Sequence, residues 1–164
     1  MGPPIVRAAE FGIGYRPLRE EDFAFTAALY SSTRTEELMA TGWPEEVKQA
    51  FLAQQHQAQH LHYQAHYDGA EWLIVERGGG AIGRVYLHEG ETDIRLIDIA
   101  LLPEQRGAGI GAALIDDLLA WARARGKSVS LHVEPNNPVR RLYLRLGFVA
   151  GDVLGAYQRM DWAP

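Results

Sequence analysis

Cysteine is absent from this chain, which excludes a disulfide framework, a thiol nucleophile and Cys-ligated zinc. No apolar run approaches the roughly 20 residues needed to span a bilayer. The first residues carry no apolar signal-peptide core, and Met1-Gly2 lacks the Ser or Thr of a myristoylation site. Excess basic charge is missing too: the net charge is −5 over 164 residues, which argues against duplex nucleic acid as the main partner. Internal repeats and low-complexity tracts are lacking. We therefore expect a soluble, cytoplasmic protein with no membrane or nucleic-acid partner. What remains is an ordinary mixture of apolar and charged residues, long enough for one core without staples. A loose arm over residues 1–10 and a single domain over 11–164 are expected.

The stretch that organises the chain is Leu101-Leu102-Pro103-Glu104-Gln105-Arg106-Gly107-Ala108-Gly109-Ile110-Gly111-Ala112-Ala113-Leu114. An apolar strand over 94–102 stops at Pro103, which has no N–H for a ladder. Three alternate glycines follow, then a helix over 109–125 with Ile110, Leu114, Leu118 and Trp121 on one stripe. Glycines permit close backbone approach, and the first helical N–H groups lack partners and sit at the positive end of the helix dipole. Together they form an anion site suited to a phosphorylated cofactor. Three readings compete. Gly107-Ala108-Gly109-Ile110-Gly111-Ala112 satisfies the dinucleotide fingerprint, with Glu134 as a ribose ligand downstream, yet Pro103 to Arg106 separate it from its strand. Arg106-x-x-Gly109-x-Gly111 is a second spacing. A plain tight turn is the third.

Upstream, we expect a strand over 11–18 and a helix begun by Glu20, Glu21 and Asp22. A break at 31–35 and a second helix or bent pair over 35–67 follow, interrupted at Gly42 and restarted at Pro44. Val47, Phe51, Gln54, Ala58, Leu61 and Ala65 form its expected core stripe. Beside it run His56, His60, Tyr63 and Tyr67, and then Gln55, Gln59, His62 and His66. These stripes fit a solvated face, a wall of a substrate pocket, or a metal pair at His62 and His66, although no third ligand lies nearby. Strands over 70–77 and 81–88 make a hairpin, and a turn at Gly90-Glu91-Thr92 leads to the strand at 94–102. A parallel strand over 128–133, a short helix over 138–146 and returning strands over 148–162 complete the sheet. Trp43, Tyr63 and Trp162, read as exposed aromatics, make a homodimer reasonable.

The second half carries another pattern: Leu131-His132-Val133-Glu134-Pro135-Asn136-Asn137-Pro138, then Leu142-Tyr143-Leu144-Arg145-Leu146-Gly147-Phe148. With Arg106-x-x-Gly109-x-Gly111, this resembles the GNAT superfamily of N-acetyltransferases over residues 93–148. The motif Asn is Asn136 by its spacing from Tyr143 and Asn137 by its distance from the strand. The resemblance implies an α/β (α+β) fold: a mixed, mostly antiparallel central sheet of six to seven strands with a splayed parallel pair, flanked by about four helices. It also implies acceptor-side helices over 11–69, an acetyl-CoA core over 70–148 and C-terminal strands over 149–164.

Acetyl-CoA is then the cosubstrate and an amine the acceptor, with no metal. The pantetheine arm would pair with the backbone at Ala100 and Leu101, and the Leu101 N–H would polarise the thioester. Arg106, Gly107, Ala108, Gly109, Ile110, Gly111 and Ala112 would hold the pyrophosphate, with Asn136 nearby. Tyr143 matches the family's general acid toward the departing thiolate; otherwise it is a core tyrosine. For the base, Asp98 leads as the one acid in Leu96-Ile97-Asp98-Ile99, where it is either catalytic or paired. His132 and Glu134 follow. The histone-acetylating branch has a Glu where this chain has Arg95, so histone-like acceptors lose support. Two readings of other classes stay open: a non-catalytic acyl-CoA sensor and a nucleotide-dependent oxidoreductase.

Overall fold

The computed structural model describes residues 2–164. Among these, seven strands form one sheet in the order β1-β2-β3-β4-β5-β7-β6. Four α-helices flank it: α1 (Phe23–Met39), α2 (Glu45–His66), α3 (Ile110–Ala124) and α4 (Arg140–Arg145). The strands are β1 (Ile13–Pro17), β2 (Glu71–Arg77), β3 (Gly80–Glu89), β4 (Asp93–Leu101), β5 (Ser128–Val133), β6 (Val149–Leu154) and β7 (Tyr157–Trp162). Every neighbouring pair is antiparallel except β4 and β5. The mixed sheet and its single parallel pair are those expected.

Two kinds of packing cover the sheet. Val85, Leu87, Ile94, Leu96, Val129, Leu131 and Val133 join Ile110, Leu114, Ile115 and Leu118 of α3 in the main apolar core. Because side chains alternate along a strand, Arg84, Tyr86 and His88 point to the opposite face. There Tyr63 of α2 meets Trp72 and Tyr86 with ring centres 6.3 and 6.1 Å apart, and Tyr67 meets His88. The apolar cluster on this side is small: Tyr30, Leu38 and Leu52.

Four local expectations change. Helix α1 runs straight through residues 31–35, because the hydroxyls of Ser32, Thr33 and Thr35 donate to the carbonyls of Leu29, Tyr30 and Ser31 on the preceding turn. The interruption expected at Gly42 and Pro44 is there, between Met39 and Glu45. On α2 the buried residues are Leu52 and His56, whereas Val47, Phe51 and Leu61 are exposed. The stripe containing His56, His60, Tyr63 and Tyr67 is the inward one, since polar and aromatic side chains rather than aliphatic ones tie this helix to the sheet. Of the three aromatics read as exposed, Trp162 is buried and Tyr63 half-buried, leaving Trp43.

The N-terminal arm is also not loose, although Met1 lies outside the described residues. The carboxylate of buried Asp117 on α3 accepts from the amides of Val6, Arg7 and Ala8 at 3.1, 2.7 and 3.0 Å. This clasp turns residues Ala8–Phe11 into a 3-10 turn that lies along α3. Removing the carboxylate strands three amides, one of them buried. Asp117→Ala is expected to cost about 2–3 kcal/mol of unfolding free energy, measured by denaturant titration.

His56 supplies a second test. The Thr26 hydroxyl donates to Phe23 O, so it accepts from His56 Nε2–H at 3.0 Å, leaving Nδ1 unprotonated and without a partner. Burial above all, then the charges of Arg84 and His60, pulls this imidazole from 6.5 down to about 4. Between those values the unfolded chain binds the extra proton and the folded one does not, so stability rises with pH across the window. The contribution is complete above pH 6.5 and is lost as pH falls toward 4. His56→Gln should flatten this part of the profile of unfolding midpoint against pH.

Candidate functional site

The parallel pairing of β4 with β5 covers three positions: Asp93 with Ser128, Ile94 with Val129 and Arg95 with Ser130. Beyond them the strands part. β4 continues to Leu101 beside β3, and β5 continues to Val133 beside β7. The separation begins at a bulge: Leu87 faces Leu96 and Tyr86 faces Asp98, so Ile97 has no partner on β3. An extra residue bends the strand and sharpens its twist.

The bulge also changes which peptide groups face the gap. After it, Asp98 and Ala100 pair with Tyr86 and Arg84 on β3, and the Leu102 N–H donates to Ile82 O at 2.8 Å. The alternate peptide groups, of Ile99 and Leu101, therefore face away from β3 and into the gap. Leu101 thus faces the gap. Ala100 does not: its peptide groups belong to the β3 ladder, and Ile99 takes its place, because a one-residue bulge reverses the alternation. The Leu101 carbonyl already has a donor in Arg106, whose Nε reaches it at 2.9 Å and whose Nη2 donates to Ser32 Oγ on α1 at 3.1 Å.

The glycine loop follows a 3-10 turn, Pro103–Gln105, so the glycines do not abut the strand as a dinucleotide fingerprint requires. Gly107 and Gly109 adopt φ of +76° and +93°, which side-chain-bearing residues rarely reach. Gly109 is the N-cap of α3, with no side chain capping it, and a Cβ there would sit 3.4 Å from Phe11 of the clasped arm. The first intrahelical donor is Ala113, to Gly109 O at 3.0 Å. Ahead of it the amides of Ile110, Gly111 and Ala112 have no acceptor among the described residues. Ile110 is itself buried and anchors this turn, while Gly107 and Ala108 are exposed. A Cβ on Gly111 would meet only Leu101 Cδ1, at 4.0 Å, so the space beside it is open. Bare amides, a helix dipole and open space suit an oxyanion such as a diphosphate.

Tyr143, on α4, is buried in the main apolar core, 5 % exposed, with its ring 5.5 Å from that of Phe148. Burial first, and the negative charge of Asp98 second, push its phenol above the ordinary range. Asp98 and Tyr143, far apart in sequence, are thus electrostatic neighbours. Asp98 Oδ2 accepts from Arg84 Nε at 2.7 Å. Arg84 is 4 % exposed and is held in turn by Gln59 Oε1 at 2.8 Å and by the Tyr86 ring at 4.8 Å. Asp98 is therefore paired, whatever further role it has. An Arg inside the apolar run Ile82-Gly83-Arg84-Val85 is the same signal as the Asp in its strand, and it points to this partner.

On β5, His132 is exposed and Nδ1 accepts from Arg95 Nη2. Glu134 Oε1 accepts from Arg34 Nη1 of α1 at 3.3 Å. Both lie on the helix α1 side of the sheet, across the gap from Asp98. Asn137 shapes the turn into α4, since its Oδ1 accepts from the Val139 amide at 3.0 Å; Asn136 is exposed beside it. His62 and His66 stack at 4.1 Å on the outer side of α2, and His66 Nδ1–H donates to His62 O. No group of three His, Cys, Asp or Glu converges among the described residues. None of the helices described is long and apolar enough to cross a membrane.

This geometry has counterparts. PaiA N-acetyltransferase from Thermoplasma acidophilum, solved in complex with coenzyme A, superposes with a TM-score of 0.68 at 20% identity over 93% of this chain and 99% of its own. An acetyltransferase from Thermus thermophilus gives 0.67 at 14% identity, over 93% and 97%. At these identities the likeness is one of fold. Mycothiol acetyltransferase from Thermobispora bispora is 34% identical over 102 residues, which is 57% of this chain and 35% of that protein. The chain thus spans about a third of the length of that relative. The model of the acetyltransferase (GNAT) family matches residues 32–148, a stretch that holds the strand gap, the glycine loop, α3 and Tyr143. This chain belongs to the GNAT acetyltransferase family.

Proposed function

We propose that this chain moves an acetyl group from acetyl-CoA to a primary amine of a small molecule, peptide or protein by direct attack, acting in the cytoplasm. The observation that carries the reading is the gap between β4 and β5, which opens beside three unpartnered amides at the start of α3. Those amides, at Ile110, Gly111 and Ala112, suit the pyrophosphate, with Gly107, Ala108 and Gly109 allowing close approach and Asn136 at the rim. The gap-facing peptide groups of Ile99 and Leu101 suit the amide-rich pantetheine arm, which would lie there as an added strand. An N–H from one of them would polarise the thioester carbonyl as negative charge develops on its oxygen. Arg106 contributes by fixing the end of β4 against α1 rather than by its charge alone.

The amine nitrogen attacks the thioester carbon, the C–S bond breaks, and the sulfur leaves with the electron pair. Tyr143 gives this thiolate its proton. Asp98 receives the proton lost by the amine, directly or through water, with Arg84 holding it in place; His132 on β5 and Glu134 just after it are the other candidates. No thiol exists in the chain to carry an acetyl intermediate.

Calorimetry should show acetyl-CoA binding and none of NAD, and thiol release should follow addition of a suitable amine. A Cβ at position 111 touches little of the protein, so Gly111→Ala should leave stability unchanged or raise it by up to ~1 kcal/mol. It should nevertheless weaken acetyl-CoA severalfold in the same calorimeter. Tyr143→Phe should lower kcat by roughly 10²-fold or more with the KM for acetyl-CoA nearly unchanged; unaltered turnover would remove Tyr143 from the mechanism. Since the phenol is raised above its usual value near 10, kcat against pH should show no loss from Tyr143 ionisation below about pH 10.

A further inference from the structure

Charge on the acceptor side of the gap is unevenly satisfied. Carboxylates there already hold donors: Asp98 from Arg84, Glu134 from Arg34, and Asp161 from Arg159. Asp93 accepts from Ser128 and Ser130 at 2.8 and 2.7 Å. Two guanidinium groups on the same side are short of acceptors. Arg34 Nε and Arg95 Nη1 are both buried and both without a hydrogen-bond partner.

Their positions single out the place where the strands part. Arg95 belongs to the last paired position of β4 and β5, immediately before the bulge at Ile97. Ile94 and Leu96, its neighbours, are buried in the α3 core, so Arg95 points to the other face, the one Asp98 also faces. Its Nη2 meets His132, and Arg34 meets Glu134, two residues further on and just past the end of β5. Arg95 therefore stands where the gap begins, and Arg34 holds Glu134 just past the end of β5. A buried guanidinium N–H without an acceptor costs free energy, and a carboxylate is the ligand that satisfies such a fork, with two parallel bonds where geometry allows.

We propose that the acceptor is an amine that also carries a carboxylate, of the amino-acid type, and that Arg95 binds that carboxylate. The inference rests on the acetyl-transfer reading and narrows its substrate class: polycationic amines and lysine-rich tails would bring positive charge against Arg95.

The test compares L-amino acids with their own carboxamides, a linear triamine and a lysine-containing peptide, following thiol release from acetyl-CoA by the full chain. Amino acids should exceed their carboxamides at least tenfold in kcat/KM. Arg95→Gln should abolish that preference, chiefly through KM for the acid, and Arg95→Lys should restore part of it. The acid-against-carboxamide comparison needs no variant and stands even if Arg95→Gln folds poorly. Preference for the triamine or peptide, equal turnover of acid and carboxamide, or acetyl-CoA binding with no turnover of any amino acid would each overturn the inference while leaving acetyl-CoA binding intact. Failure of acetyl-CoA itself to bind in calorimetry would overturn the acetyl-transfer reading, and this inference with it.

Discussion

Two adjacent parallel strands normally satisfy each other's peptide groups along their whole common length, and here they stop after three positions. The unpaired backbone that results lies against the apolar α3 layer, where an orphaned N–H or C=O is expensive. Three features make the arrangement tolerable. The bulge at Ile97 turns β4 away from β5 while keeping it bonded to β3. Arg106 lends its Nε to the Leu101 carbonyl, a stand-in for the donor a ligand would supply. Core side chains on both strands, such as Leu96, Leu101, Leu131 and Val133, stay packed against α3 or its neighbours. An opening held in this way is the slot proposed above for an extended, amide-bearing chain.

The two faces of the sheet divide the work. The α3 side is aliphatic and dense, and the N-terminal arm is locked to it through Asp117. Phe11 of that arm packs against Gly109, so the clasp also steadies the loop at which α3 begins. The opposite side is joined by hydrogen bonds, rings and ion pairs: Thr26 to His56, Gln59 to Arg84, Arg84 to Asp98. Such contacts are directional and orient side chains, which suits the acceptor-binding role proposed for this surface. Ser32 to Arg106 and Arg34 to Glu134 tie α1 to both lips of the gap.

Much of this was legible in the amino-acid sequence where local chemistry decides the outcome. Pro103, the alternate glycines and the stripe of α3 announce a strand, a loop and a helix start, and the spacing from Asn136 to Tyr143 announces α4. Asp98 in an apolar strand announces a partner. Less legible was everything that depends on contacts distant in sequence. The bulge at Ile97 leaves no mark in a run of aliphatic residues, and it moves the gap-facing peptide from Ala100 to Ile99. Ser and Thr lower helix propensity, yet in α1 their hydroxyls bond to the previous turn and the helix continues. Periodicity placed Val47, Phe51 and Leu61 inward, but Thr26, Arg84 and the rings of β2 and β3 favour the His and Tyr stripe instead.

The central claim is that the Ile99 peptide groups and the Leu101 N–H are left open for the pantetheine arm of acetyl-CoA. Amide hydrogen exchange, resolved by residue with and without saturating acetyl-CoA, tests it most directly. Protection should rise at Ile99 or Leu101 together with Ile110, Gly111 and Ala112, while amides bonded between β3 and β4, such as Ala100, change little. Saturable binding that protects none of these amides, or protects only residues outside the gap, would contradict the account.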